Sequence, residues 1–94
     1  MTAIEIPELT EHNGALWMWV GTMTKCGTDW PIETKIEKVG RRWQVTFGLC
    51  DGLAGAVRLY TTKQEAYAAA RQDFIEREEA RRAWAQQLDA WRPS

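Results

Sequence analysis

The chain has little of what most metalloproteins and nucleophilic enzymes are built from. In 94 residues there is one histidine, His12, and two cysteines, Cys26 and Cys50. A structural zinc site takes four ligands, usually cysteine and histidine, and these three side chains fall short of it. A Cys–His nucleophile pair must lie within hydrogen-bond reach, yet the strand pattern described below puts His12 at the opposite end of a sheet from both thiols. Two cysteines do not make a disulfide framework. Here a third strand separates the two strands whose ends carry them, and alternate strands lie about 9.6 Å apart, so a bridge would require the two loops to lean together. Asp29 and Asp51 fall near the thiols as ordinary turn residues. No Walker-type glycine loop, G-x-S-x-G or H-E-x-x-H occurs. The chain is therefore expected not to be an enzyme, with no catalytic residue, no metal and no cofactor.

Charge of one sign is also lacking. Twelve basic and 13 acidic residues leave a formal net charge of −1, so no bulk field gathers polyanions or an anionic membrane. A duplex-DNA binder working through phosphates would be more basic. No stretch approaches the roughly 20 apolar residues of a membrane helix, and residues 1–11 lack the basic flank and apolar run of a signal peptide. A cytoplasmic protein with no membrane partner is expected.

What is abundant is alternation. Over residues 32–49, Ile32, Thr34 and Ile36 alternate with Glu33, Lys35 and Glu37, and Trp43, Val45, Phe47 and Leu49 alternate with Gln44, Thr46 and Gly48. This is the period of two half-buried strands. Gly40-Arg41 suits a two-residue type II′ turn, which predicts the pairs Ile36–Val45, Thr34–Phe47 and Ile32–Leu49, all on one face. Around this hairpin the rest is placed. Residues 1–14 read as an acidic arm or short edge strand, with Asn13-Gly14 as a turn. Residues 15–23 form a strand apolar on both faces, which expects cover on both sides. Pro31 opens the second strand, and residues 56–60 form a fourth, with Leu59 against Phe47, Val57 against Leu49, and both on the core side. Thr62-Lys63-Gln64-Glu65 is a capping box. No Gly or Pro follows it before Pro93, so one helix is predicted over about 62–91. The fold class is α+β: a four-stranded antiparallel β-meander packed on one long C-terminal α-helix (ββββα), with residues 15–94 as a single domain.

Tyr67, Ala70 and Phe74 make the helix's core stripe; Arg77, Glu78 and Arg81 interrupt it, and Trp84, Leu88 and Trp91 resume it. About 13 residues, roughly 20 Å, match the strands, whereas the whole helix is roughly 45 Å long. Residues 62–75 are thus expected to pack on the sheet and the remainder to overhang.

Six tryptophans are many for one small core. Trp84, Leu88 and Trp91, with Arg81 one turn earlier, form an anchor set for a protein partner, either a second copy in a homodimer or a foreign complex. Arg77, Arg81 and Arg82 beside Glu76, Glu78 and Glu79 read as a solvated, ion-paired face. The alternative is a single-stranded nucleic-acid platform of Trp17, Trp19, Lys35, Arg58 and Tyr60 on the sheet face opposite the helix, where bases stack and phosphates pair. Against it, Ile4, Ile6 and Leu9 of the arm, or a second copy, would cover Trp17 and Trp19. In size and layout the chain resembles small stand-alone proteins of phages and mobile elements, among them anti-CRISPR-like and other anti-defence inhibitors. That resemblance implies a binder that disables a host complex by contact.

Overall fold

A computed structural model describes residues 3–91. Five strands, β1 (Thr10–His12), β2 (Ala15–Lys25), β3 (Thr28–Val39), β4 (Arg42–Leu49) and β5 (Ala56–Tyr60), form one antiparallel sheet in sequential order. They are followed by a single helix, α1 (Lys63–Trp91). The predicted meander and helix are both present, and the N-terminal edge strand is β1. Pro93, expected to limit the helix, lies outside the described residues.

Two-residue turns make three of the four strand connections, and residues 50–55 make the fourth. Gly40 alone has positive φ (63°) in the Gly40-Arg41 turn, the type II′ pattern, and Val39 closes on Arg42. Asn13-Gly14 and Cys26-Gly27 have positive φ at both positions, the type I′ pattern whose twist matches the strands it joins. Because the last of these turns joins Lys25 to Thr28, β2 and β3 run past the point where β4 ends and project as a two-stranded ribbon. Pro31 lies inside β3, opposite Thr22, rather than opening it. Counting from the Lys25–Thr28 closing pair, its missing N–H falls on the free side of the ribbon, where proline costs no ladder bond.

The core lies between one sheet face and α1. Met18, Thr34, Ile36 and Val45 are almost fully buried, packed with Phe47 against Ala66, Ala70 and Phe74, which recur every four residues along the helix. Thr62 caps the helix: its Oγ1 accepts the Glu65 amide at 3.1 Å and its carbonyl accepts the Ala66 amide at 3.1 Å.

Three further features depart from expectation, the first being the register of β3 on β4. Ile36 pairs with Val45, but Lys35–Thr46 is followed by Glu33–Leu49, so Phe47 and Gly48 together oppose Thr34. This is a β-bulge with Gly48 at φ 63°. It turns Leu49 to the face opposite the helix and replaces the expected Thr34–Phe47 and Ile32–Leu49 pairs. It also explains a threonine in the core, since Thr34 Oγ1 accepts the Gly48 amide at 3.5 Å.

The second correction is β5. Leu59 pairs with Gln44 and Val57 with Thr46, so both face away from the helix, 51% and 55% exposed, while Arg58 and Tyr60 share the helix side. At a sheet edge neither face is deep, and alternation alone does not choose between them. The third is the arm. Ile4, Ile6 and Leu9 pack against the core cluster, and Ala3 and Ile4 share a cleft with Ile75 and Ala83. The arm therefore lies beside α1 and does not cover Trp17 and Trp19.

Arg77 Nη2 would stand 2.8 Å from a Cβ built on Gly48. Gly48→Ala thus meets both a left-handed backbone and a guanidinium, and a loss of about 1–2 kcal/mol is expected in urea unfolding.

Candidate functional site

None of the six tryptophans is buried. Two of them, with a leucine, form an exposed apolar group on the part of α1 that leaves the sheet. Beyond Arg77, at the bulge that ends β4, the helix continues from Glu78 to Trp91, roughly 20 Å at 1.5 Å per residue. On it Trp84 is 61%, Leu88 48% and Trp91 87% exposed. With Gln87 and Ala90 they line a groove of about 580 Å³. Spacings of four and three residues put the three on one stripe. The arm occupies a different flank, where Ile75, Glu79, Arg82, Ala83 and Gln86 border Ala3 and Ile4. The overhang thus carries one flank bordered by the arm and another that no other described element covers.

Arg81, the fourth residue of the set, is tied to the helix. Its Nη2 and Nε reach Glu78 Oε1 and Oε2 at 2.6 and 3.1 Å, and Arg82 Nε donates to Glu78 Oε1 at 3.2 Å. The Arg81 hydrogen bonds, joined by those from Arg82 and opposed by partial desolvation, lower the Glu78 carboxyl to about 2. The same pairing raises the Arg81 guanidinium above its ordinary value. One turn earlier Arg77 Nε meets Asp73 Oδ2 at 2.7 Å. These arginines form an ion-paired face and not an open basic patch.

The proposed sheet-face set is divided. Trp17, Trp19 and Lys35 share the face opposite α1, with Lys35 Nζ 5.2 Å from the Trp17 ring centroid and 3.2 Å from Glu37 Oε2. Arg58 and Tyr60 lie on the other face. There they border a shallow groove of about 530 Å³ between β5 and α1, together with Phe47, Asp73, Glu76 and Arg77. Sequence reasoning missed the apolar members of the outer face, namely Leu49, Val57 and Leu59. The available signal was Gly48 inside an alternating run, since a glycine there marks a bulge.

Cys26 is exposed and Cys50 buried, both as free thiols. Among the described residues no group of His, Cys, Asp and Glu could hold a metal ion, and no helix is long and apolar enough to cross a membrane. Set against protein-family models, curated proteins and solved structures, the chain matches none.

A carboxyl lowered in the fold stabilises it above the ordinary carboxylate range and ceases to do so as pH falls toward the folded value. NMR titration of Glu78 is expected to give a midpoint near 2, rising toward the ordinary value of 4.5 in Arg81→Ala. An unchanged midpoint in that variant would remove Arg81 as the cause.

Proposed function

We propose that this protein is a non-enzymatic interaction module that seats the open flank of its helix overhang, Trp84, Leu88 and Trp91, in a groove of a protein partner. The observation that carries this reading is the coincidence of three large exposed apolar side chains on one stripe beyond the reach of their own sheet. At roughly 150–250 Å² per tryptophan, the patch offers on the order of 400 Å², about half of what one partner contributes to a standard interface. That suits the anchor of a helix-in-groove contact, in which tryptophan carries a large share of the energy. Arg81, held in place by Glu78, lies beside the anchors as a rim contact. The module acts by occupying a surface, in the manner of a small inhibitor of a larger host complex.

A single-stranded nucleic-acid platform has less support. It requires Arg58 and Tyr60 beside Trp17 and Trp19, and the two pairs lie on opposite faces of the sheet.

Trp84→Ala combined with Trp91→Ala removes two exposed side chains, so the folded stability is expected to change by no more than about 0.5 kcal/mol per site. Each indole is expected to supply about 2 kcal/mol of partner binding or more, roughly 30-fold in affinity. The measurement is affinity purification from the native cell beside circular dichroism of the variant. Loss of the co-purifying protein with an unchanged spectrum is expected, and full retention by the folded double variant would refute the reading.

A further inference from the structure

The geometry points to a second interaction surface, the free edge of β5, and to its occupant: β5 of a second copy, paired antiparallel about a twofold axis that passes between the two Leu59 residues.

The free main-chain groups of that edge follow from the register. Val39 and Arg42 close a two-residue turn, so they exchange both hydrogen bonds, and alternate pairs up the ladder, Glu37–Gln44 and Lys35–Thr46, do the same. The main-chain groups of Trp43, Val45 and Phe47 therefore turn the other way, toward β5, as the Gly55 amide donating to the Phe47 carbonyl at 2.9 Å also indicates. Their partners Tyr60, Arg58 and Ala56 point inward. That leaves the N–H and C=O of Val57 and Leu59 directed off the sheet, with no strand beyond them among the described residues.

The other free edges carry the devices that discourage strand addition. β1 is three residues long. The projecting ribbon of β2 and β3 has an irregularity between Trp19 and Gly21 on one side and Pro31 on the other. β5 has no proline and no bulge, and its outer side chains Val57 and Leu59 are more than half exposed.

Its one charge, Arg58, selects the register. A twofold axis normal to the sheet keeps each face on its own side, and to pair at least three residues of the two five-residue strands it must fall on Val57, Arg58 or Leu59. On Arg58 it would set two guanidinium groups directly opposite, in the closer, non-hydrogen-bonded type of pair, where like charges repel. On Val57 it would pack valine on valine but set Arg58 against Ala56 and Leu59 against Gly55, so neither of the two longer side chains would gain a partner. On Leu59 it packs leucine on leucine on the outer face and lays Arg58 across the ring of Tyr60 of the second copy, a cation–π arrangement. Leu59 then exchanges hydrogen bonds with its own copy, and Val57 with Thr61. An edge this short buries less than the about 1,200 Å² of a standard interface, so the dimer dissociates on dilution. Because α1 runs back along β5, the twofold sends the two overhangs in opposite directions, and both Trp84 patches stay open.

Sedimentation velocity over a concentration series tests this with the full chain. The wild type is expected to pass from monomer to dimer. Leu59→Pro removes one outward N–H while leaving every bond to β4, a substitution edge strands accept, and is expected to weaken the dimer at least tenfold. Leu59→Lys, which sets two like charges across the axis, is expected to do the same and serves if the proline variant fails to fold. Trp84→Ala with Trp91→Ala is expected to leave the dimer intact. A wild type that stays monomeric at every concentration overturns the proposal, as does a dimer that survives the lysine variant. Self-association lost only with the tryptophans also overturns it, and leaves the helix overhang standing as a binding surface.

Discussion

The close seating of α1 on the sheet at Ala66 and Ala70 constrains everything else in the molecule. Two alanines four residues apart remove the bulk that would hold the helix off, and Phe74 on the next turn joins the same buried cluster as Phe47 and Val45. The buried Met18, Ile36 and Val45 below them each contribute roughly 1.5–3 kcal/mol. Since β5 ends at Tyr60 and Thr62 already caps the helix, the first turn must begin at one end of the sheet and climb toward the other. From that starting point the helix reaches the far end of β4 near Arg77, and what remains has no sheet to lie on. The exposure of Trp84 and Trp91 follows from the position of the cap and from helix length.

That reasoning was available from the sequence. Thr62 with Glu65, the absence of Gly and Pro through Trp91, and strand lengths fixed by alternation together give a helix longer than its support. Trp84, Leu88 and Trp91 were legible as a surface because their exposure depends only on lengths and periodicity, quantities that survive errors of a residue or two. The Gly40-Arg41 turn and the Ile36–Val45 pair were legible for a related reason: turn chemistry and pattern agreed there.

The sheet's outer face was legible at Trp17, Trp19 and Lys35 but not at its far edge, because face assignment counts residues modulo two. The single extra residue at Phe47-Gly48 reverses Leu49, and the connection to β5 reverses Val57, Leu59, Arg58 and Tyr60. Val57 and Leu59 looked like core because they are the apolar half of Ala56–Tyr60. Yet Tyr60, with a ring to bury and a hydroxyl to keep wet, takes the helix side. The arm misled in another way. Ile4, Ile6 and Leu9 had two apolar surfaces to choose from, and the cleft beside α1 offers cover from both helix and sheet where the outer face offers only one layer.

The overhang and the projecting ribbon also give the molecule an uneven outline, 56 × 33 × 20 Å, with a Cα radius of gyration of 15.3 Å. A compact chain of this length would have a radius near 12 Å, and 15.3 Å corresponds to a compact chain roughly 1.7 times as long. In gel filtration a single copy would therefore elute close to where a compact pair is expected, and mass assigned from elution volume would count two subunits where there is one.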